Sequence, residues 1–329
     1  MTITLKEHRH LENGNRAQSQ NPDQPYLPIG AVVAQLRPQF PGVTHSSLRF
    51  LERRGLISST RTEGQHRLYS PREIERVRQI KRWQSQRLSL RDIGHRLATL
   101  DSLPPPQRLA SEFLQLATSG DANGARSSII EASKAGLPLS HLFGELLIPA
   151  LQEVGHRWEK GDLMVAQEKE ITEITRELIS ALTLGDGTVI KSGPPLVAAC
   201  VEGEQHDLGI RMICGLLRAA GFTVRFLGAD VAAEYVLQAV QLHRPVGVLL
   251  SAKLDARSKA VQRTIELLKS GAGDEAPVIV GGQITLTRAV AVESWGAIPV
   301  TAQQLDDAIS AITGIVGSAF PESRPDLDG

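Results

Sequence analysis

The sequence has few cysteines and no long apolar runs. Its 329 residues include two cysteines, Cys200 and Cys214, which excludes a disulfide framework or a four-cysteine zinc site and is typical of a reducing compartment. No apolar run approaches the roughly 18 residues of a membrane span. Residues 1–25 also lack the apolar core of a secretory signal. We therefore expect a cytoplasmic protein without a membrane partner.

The chain has no net charge, but its charges are unevenly distributed. Residues 26–98 contain 14 Lys and Arg against 5 Asp and Glu, a net charge of +9, so the remainder carries −9. A basic segment joined to an acidic remainder is typical of a regulator with a DNA-binding head and a separate sensing body. The alternative is a basic face that is merely solvated.

Changes in periodicity divide the chain into domains. The segment 103–106, Leu-Pro-Pro-Pro, and the pairs of Gly and Pro near residues 185–195 mark linkers. The predicted order is a flexible tail at 1–25, a DNA-binding domain at 26–98, a linker at 99–106, a four-helix bundle at 107–186, a linker at 187–194, a parallel-sheet domain at 195–318 and a flexible tail at 319–329.

Two periodicities distinguish the bundle from the sheet. Apolar residues recur every three or four positions in the bundle, which predicts helices at 107–118, 122–135, 140–160 and 163–184, the third kinked by Pro149. Short apolar strands then alternate with helices, at 196–201, 223–227, 246–250, 278–280 and 297–300. This alternation predicts a Rossmann-like, doubly wound parallel sheet that binds ligands beyond the carboxyl ends of its strands.

The basic domain has the pattern of a winged helix-turn-helix. Thr44 and Gly55 are suited to begin and end a short helix, and an apolar helix at 29–36 precedes it. The second helix of such a motif enters the major groove through its N-terminal residues. The segment 61–69 predicts a two-stranded wing turning at Gly64, and Ser70 begins the next helix with Pro71 at its first position.

This domain resembles the MerR family of transcription regulators through the segments 48–56, Leu-Arg-Phe-Leu-Glu-Arg-Arg-Gly-Leu, and 66–69, His-Arg-Leu-Tyr. The resemblance implies double-stranded operator DNA as a partner. The predicted DNA contacts are two serines and an arginine of the second helix and four residues of the wing: Ser46, Ser47, Arg49, Arg61, His66, Arg67 and Tyr69.

The sequence predicts that His206 lies at the carboxyl edge of the sheet. The pattern Glu204-x-His206-x-x-Gly209 follows the first strand, where a carboxylate can hold one imidazole nitrogen while the other faces outward. Such an imidazole suits an axial metal ligand, although a lone loop histidine is often only exposed. Ser251 and Lys253 follow the third strand and Gly281 and Gly282 the fourth, and no dinucleotide or P-loop motif follows the first strand.

These segments resemble the cobalamin-binding Rossmann-like domain. The resemblance implies that His206 is the lower axial ligand of cobalt and that the nucleotide tail of the cofactor enters a cavity beside the serine and glycine loops. The resemblance also implies that the following residues bind the cofactor: Glu204, Asp207, Gly209, Ser251, Lys253, Gly281 and Gly282.

The bundle extends the resemblance to light-sensing MerR-type repressors of the CarH type. Trp158 and Glu168 occupy the positions that cover the upper face of cobalamin in that subfamily. Val165 either contacts the upper ligand or packs in the core, and Trp158 has the same alternative. The resemblance implies adenosylcobalamin as cofactor and a homo-oligomer, a dimer or tetramer, that changes its assembly in light.

Two positions depart from that subfamily, which has histidines directly after the tryptophan and the glutamate. This chain has Glu159 and Lys169, which match a borderline transition ion less well, and His156 is the remaining candidate nearby. The alternatives are therefore a regulator of another cobalamin form, of another tetrapyrrole or of no ligand. A cobalamin-carrying enzyme subunit would leave the DNA-binding head without a role, so we expect no enzyme.

Overall fold

The computed structural model describes residues 26–62, 64–184, 193–272, 276–302 and 304–319, with only the backbone of residues 318 and 319. The chain divides into two compact units, Met1–Ala98 and Thr99–Gly329. The predicted tail at 1–25, nearly all of the predicted tail at 319–329 and most of the predicted linker at 187–194 lie outside the described residues.

The described part of the first unit contains three helices, most of a fourth and a small antiparallel sheet. Its elements are β1 (Leu27–Pro28), α1 (Ile29–Leu36), α2 (His45–Arg53), β2 (Thr60–Arg61), β3 (Arg67–Tyr69), α3 (Pro71–Ser85) and α4 (Leu90–Ser102). The predicted helix-turn-helix of α1 and α2 and the wing of β2 and β3 are confirmed. The sequence did not predict β1, which pairs with β3, because two residues are too few to show an alternating pattern.

Helix α2 is delimited by the predicted residues at both ends. The Thr44 hydroxyl accepts a hydrogen bond from the Ser47 backbone N–H at 3.1 Å, and the Ser47 hydroxyl accepts one from the Thr44 N–H at 2.9 Å, a reciprocal capping box. At the other end Gly55 has a φ of +68°, and the Leu56 N–H donates to the Leu51 carbonyl at 3.0 Å. This Schellman geometry requires a left-handed residue, which glycine adopts without strain.

The predicted linker at 99–106 is shorter than expected. Helix α4 continues to Ser102 and the next helix begins at Pro106, so residues 103–105 alone separate them. Consecutive prolines disfavour the α conformation of the residues that precede them, which ends α4 there.

The second unit begins with a helical bundle, formed by α5 (Pro106–Thr118), α6 (Ala122–Lys134), α7 (Leu139–His141), a π-helical turn (Leu142–Leu147), α8 (Ile148–Glu159) and α9 (Val165–Leu184). The third predicted helix is therefore interrupted. The π-helical turn directly precedes Pro149, whose ring would clash with a carbonyl one turn earlier in a regular helix, so the expected disturbance takes this form.

A five-stranded parallel sheet follows the bundle. Its strands are β4 (Pro195–Cys200), β5 (Thr223–Phe226), β6 (Gly247–Ser251), β7 (Val278–Gly281) and β8 (Ile298–Pro299), in the order β5-β4-β6-β7-β8. The helices between and after them are α10 (Leu208–Ala219), α11 (Ala233–His243), α12 (Ser258–Ala272), α13 (Ile284–Ser294) and α14 (Leu305–Ala319). The predicted Rossmann-like sheet is confirmed.

Helix α10 joins the bundle to the sheet. Its Met212 and Leu216 belong to the core of the bundle, whereas Cys214 and Leu217 pack on the sheet. Gly215 allows the close approach, because a Cβ there would lie 2.3 Å from a methyl group of Thr183 in α9. No helix in the described parts of the chain has both the length and the apolar character needed to cross a membrane.

Candidate functional site

His206 lies in the loop between β4 and α10 and has one ring nitrogen fixed. Its Nδ1 is 2.5 Å from Glu204 Oε1, and its backbone N–H donates to the same oxygen at 2.9 Å. Because a carboxylate accepts, Nδ1 is the donor in this contact, and Nε2 is the ring nitrogen that remains for another partner. About half of the imidazole is exposed. The loop therefore presents a single oriented nitrogen that can bind a metal ion.

The Glu204 side chain is buried, with 1% of its surface exposed. Burial raises the pKa of this carboxyl, but hydrogen bonds from the Lys253 and His206 backbone N–H groups and from the imidazole outweigh it, and the pKa is lower than usual. The Lys253 N–H donates to Oε2 at 2.7 Å. Glu204 thus remains a carboxylate at neutral pH and links the loop after β4 to the loop after β6.

The two loops diverge at this point of the sheet. Strands β4 and β6 are neighbours, yet α10 after β4 packs on one face of the sheet and α12 after β6 packs on the other. A crevice between diverging loops is where open parallel sheets bind ligands. We call residues 202–207 and 252–257 the switch-point loops.

The small residues predicted at this edge have a structural basis. Ser251 ends β6 between Cys200 and Gly281, the last residues of its two neighbouring strands. Gly282 has a φ of +94°, and a Cβ there would lie 2.3 Å from the Ala252 carbonyl oxygen, so only glycine fits. A Cβ on Gly209 would meet nothing within 4 Å. The edge is therefore open at Gly209 and closely packed at Gly282.

Asp207 is bound by two arginines. Its buried carboxylate lies 3.1 Å from Arg176 Nη2 of α9 and 2.6 Å from Arg211 Nε of α10. Asp207 thus fixes the bundle helix α9 to the loop that carries His206. Its predicted contact with the cofactor stays a prediction, and both of its oxygens already accept hydrogen bonds from protein groups.

Three apolar side chains are exposed where α8 ends and α9 begins, and we call them the cap face: Trp158, Met164 and Val165. The exposed fractions of these side chains are 48%, 67% and 58%. The alternatives in which Trp158 and Val165 pack in the core are therefore wrong, and both side chains are available to a ligand or a partner. Glu168 stands beside this face, where Lys169 Nζ lies 3.2 Å from one oxygen and the Thr172 hydroxyl donates to the other at 3.2 Å.

Gln167 connects the start of α9 to the end of α5. Gln167 accepts a hydrogen bond from the Met164 N–H at 3.1 Å and donates to the Thr118 carbonyl at 3.0 Å.

The two residues that replace the expected histidines, Glu159 and Lys169, are exposed, and so is His156.

The two cysteines are buried and structural. Burial raises the pKa of Cys200 to about 12 and that of Cys214 to about 12. Among the described residues, neither thiol belongs to a group of three or more His, Cys, Asp and Glu side chains that could hold a metal ion.

In the first unit, the predicted contact residues of α2 divide into two kinds. Ser46 and Arg49 are exposed on the N-terminal part of the helix. Ser47 is half-buried and its hydroxyl is engaged in the capping box, where it also donates to the Thr44 carbonyl at 2.9 Å. Ser46 and Arg49 are therefore available to DNA, while Ser47 holds the helix terminus that presents them.

The wing shows the same division. Arg61 and His66 are exposed, and Arg61 Nη1 donates to Gln65 Oε1 at 3.1 Å. Arg67 instead forms a 2.7 Å ion pair with Glu52 of α2. Burial raises the pKa of Glu52, but hydrogen bonds from Ser59 and Arg67 lower it by more, so its pKa is below the usual value. The pair with Arg67 is therefore charged. Arg67 thus fixes the wing to the recognition helix.

The predicted DNA contact of Tyr69 is contradicted. Its side chain is fully buried in the core of the first unit, and its hydroxyl has no hydrogen-bond partner among the described residues. The alternation of β3 explains this, because Arg67 and Tyr69 lie on the face that packs against the helices. Burial raises the pKa of the phenol.

Sequence reasoning missed two arginines, Arg176 and Arg257. Arg176 is an ordinary charged position of an amphipathic helix, and its partner Asp207 is 31 residues away along the chain. Arg257 lies in a 3₁₀ turn (Asp255–Arg257) that no sequence pattern marks.

Three family models match the chain. Residues 41–100 match the MerR HTH family regulatory protein, and residues 109–183 and 194–311 match two models that are each described as a B12 binding domain. These matches cover the helix-turn-helix, the bundle and the sheet in turn.

Relatives of known name share this arrangement. The chain is 30% identical over 258 residues to the HTH-type transcriptional repressor CarH of Myxococcus xanthus. The aligned region covers 73% of this chain and 85% of that protein. It is 28% identical over 265 residues to the repressor CarA of the same organism, 78% of this chain and 88% of that protein. The monomethylamine corrinoid protein of Methanosarcina barkeri superposes with a TM-score of 0.55 at 21% identity, over 64% of this chain and all of that one, which shows a common fold.

Proposed function

The chain belongs to the family of HTH-type transcriptional repressors that includes CarH and CarA, and from this membership we propose that bound adenosylcobalamin and light control its binding to operator DNA. The observation that supports this most directly is the oriented Nε2 of His206 at the switch point of the sheet. One free imidazole suits a metal ion that brings its other ligands with it in a macrocycle.

The described residues fit a corrinoid on both sides. His206 would hold the cobalt ion, and Ser251, Gly281 and Gly282 would border the nucleotide tail, with open space beside Gly281. Trp158 and Val165 would cover the upper face together with Glu168. When bound, adenosylcobalamin supplies a cobalt–carbon bond that light breaks.

The bundle and the histidine loop are physically connected. Helix α9 begins at Val165 on the cap face, carries Glu168 in its first turn and binds Asp207 through Arg176 two turns later. A displacement of the cap face therefore acts on a helix that is anchored beside His206. We expect the apolar cap face to be covered by the cofactor and by a second copy of the chain in the repressing oligomer.

DNA binding is assigned to the first unit. Helix α2 would enter the major groove with Ser46 and Arg49, and Arg61 and His66 of the wing would contact the backbone. Ser47 and Arg67 support this surface through their internal hydrogen bonds.

The cofactor arm is tested by mixing the purified protein with adenosylcobalamin in the dark, recording its absorption spectrum and its mass in solution, and repeating both after illumination. We expect stoichiometric binding, His206 ligation and a light-dependent change in oligomer. His206→Ala should lose the ligation, whereas His243→Ala, at the end of α11, should behave as wild type. A wild-type protein that binds cobalamin but responds to no light would overturn the light control.

The residues at positions 159 and 169 favour a second candidate function, in which light is not the signal. Glu159 and Lys169 stand where the resemblance to CarH-type repressors expects histidines, so neither supplies an imidazole after illumination. A regulator that senses the presence of a cobalamin, whatever its upper ligand, would fit these residues. Methylcobalamin and hydroxocobalamin, tested in the same assay, would then give the same oligomer as the adenosyl form.

The DNA arm is tested with a duplex of random sequence. We expect its affinity to fall by orders of magnitude between low and physiological salt, and Arg61→Ala to reduce the slope of log affinity against log salt by about one, because Arg61 would contact the DNA backbone. The matched control is Arg126→Ala, which removes the same charge from the bundle. An unchanged slope for Arg61→Ala would remove the wing from the interface.

A further inference from the structure

A third loop, which follows β5, lies beside the segment that leads to His206. We call residues 227–231 the clamp loop. The N–H of Cys200, the last residue of β4, donates to the Gly228 carbonyl at 3.0 Å, and the Cys200 carbonyl accepts from an N–H of the same loop at 3.1 Å. The clamp loop is therefore fixed to the end of β4, and it carries Asp230 next to the residues that precede the histidine.

Asp230 is hydrogen-bonded to each of the three residues before His206. Its carboxylate accepts from the Gly203 N–H at 2.6 Å and from the side-chain amide of Gln205 at 3.2 Å. Its own N–H donates to the Glu204 carbonyl at 2.9 Å. One residue thus holds three consecutive positions, and two of the three bonds involve a carboxylate, which makes them stronger than neutral hydrogen bonds.

The backbone of Asp230 is in the left-handed region, with a φ of +55°. Residues other than glycine rarely adopt this conformation, although aspartate and asparagine tolerate it better than most. The conformation costs free energy, which the three hydrogen bonds to the neighbouring loop offset. Non-glycine residues held in this way are concentrated at functional sites.

Contacts from the loop after β6 hold the same segment on the side of the other neighbour of β4. Gly203 has a φ of +80°, and a Cβ there would lie 2.7 Å from Arg257 Nη1, so the guanidinium packs directly on the glycine. The backbone N–H of Lys253 donates to Glu204 at 2.7 Å. The histidine loop is therefore held between the loops after β5 and β6.

We propose that Asp230 is a positioning residue for His206, a proposal that rests on the proposed function. Glu204 orients the imidazole through its side chain, whereas Asp230 fixes the backbone from which both of these side chains extend. Without Asp230 the loop would have to be ordered whenever a ligand binds, and that ordering costs affinity. Loss of Asp230 should therefore weaken ligation by His206 more than it weakens the contacts of a corrinoid with the rest of the protein.

The test uses adenosylcobinamide, a corrinoid without a nucleotide base of its own, so that its absorption spectrum reports ligation by a nitrogen of the protein. Spectra are recorded in the dark with saturating protein, and His206→Ala supplies the unligated reference. Asp230→Ala should lower the ratio of ligated to unligated corrinoid roughly tenfold. Asp230→Asn should keep most of the wild-type ratio, because its amide oxygen still accepts from the Gly203 N–H.

Asp121→Ala is the matched control, because Asp121 also accepts from a backbone N–H, that of Gly124 at 2.8 Å, but does so at the start of α6 in the bundle. It should lower thermal stability without ligand and leave the ligation ratio unchanged. An unchanged ratio in Asp230→Ala, or an equal fall in Asp121→Ala, would overturn the proposal.

Asp230→Gly covers the case in which Asp230→Ala does not fold. Glycine adopts the left-handed conformation without strain but has no carboxylate, so this variant should be the more stable of the two. It should nevertheless show the same fall in the ligation ratio. A wild-type ratio in Asp230→Gly would mean that the carboxylate does not position His206.

Amide hydrogen exchange of residues 203–206 tests the same role without any ligand. Exchange there should be about tenfold faster in Asp230→Ala than in the wild type, and unchanged in Asp121→Ala. A wild type that binds neither adenosylcobinamide nor adenosylcobalamin would refute the proposed function, while faster exchange in Asp230→Ala would still show that Asp230 holds the loop. Equal exchange in the wild type and Asp230→Ala would overturn the positioning role itself.

Discussion

The sheet edge and the bundle cap differ in how much of each is already held in place by the protein itself. At the edge, Glu204 accepts three hydrogen bonds and Asp207 accepts two, so the loop that presents His206 is fixed. On the cap, Trp158, Met164 and Val165 lie in the open. The edge is therefore held in place without a ligand, whereas the proposed function requires something to cover the cap.

This difference separates affinity from response. If His206 binds the corrinoid as proposed, its fixed orientation lowers the ordering cost of binding, so the edge should set how tightly a corrinoid is held. An exposed apolar face gains free energy when it is covered, so the cap should set how the protein changes when the upper side of the ligand changes. Changes at the edge should therefore alter binding or folding, and changes on the cap should alter assembly.

The largest effect is expected from Asp207→Ala. The change leaves Arg176 and Arg211 without the buried carboxylate that joins them, and breaking such a pair costs about 3 kcal/mol of unfolding free energy. Glu173→Gln is the control, because Glu173 pairs with the same Arg176 from an exposed position and should cost less than about 0.5 kcal/mol. Denaturant unfolding of both variants measures the difference; similar small losses would show that Asp207 does not anchor the bundle.

Glu204→Gln should have the next largest effect. The amide no longer gives His206 Nδ1 a charged acceptor, and losing such a partner of a metal-binding histidine typically costs ten- to a hundredfold in affinity. Titration with adenosylcobalamin measures this loss, and Glu202→Gln, on the same loop but exposed, is the control. Equal affinities of the two variants would mean that Glu204 does not orient the imidazole.

The same variant predicts a pH dependence. Because hydrogen bonds lower the pKa of Glu204 in the folded protein, its carboxylate stabilises the fold above the ordinary glutamate pKa of about 4.3. That contribution is lost as the pH falls through the lowered pKa. The stability difference between wild type and Glu204→Gln, measured by thermal unfolding without ligand, should shrink as the pH falls below about 4. A difference that stays the same below that pH would contradict the lowered pKa.

Sequence periodicity predicted the architecture because each domain buries one regular face. The alternating sides of β4, with Val197 and Ala199 in one core and Leu196 and Ala198 in the other, are visible as a continuous apolar run. The capped helix α2 was predictable for a similar reason, since Thr44 and Gly55 act locally.

The rest depends on contacts distant in sequence. Tyr69 looked like a surface residue of a polar wing, but the register of β3 against β1 turns it into the core. Arg176 and Arg257 gained their importance from residues of other elements, Asp207 and Gly203. Local patterns therefore predicted which loops carry the site, and tertiary contacts decided which side chains remain free within it.

The smallest effect on the unbound protein is expected from Trp158→Ala. Because half of this side chain is already exposed, its removal should change the unfolding free energy by less than about 0.5 kcal/mol. Its removal should nevertheless weaken adenosylcobalamin binding by about tenfold and reduce dark oligomerisation, because an aromatic ring contributes strongly once it is covered. Leu242→Ala, an exposed apolar residue at the end of α11, is the control and should change neither. A loss of stability without a loss of assembly would show that Trp158 packs within the bundle, and the contrast between a preorganised edge and an open cap would then fail.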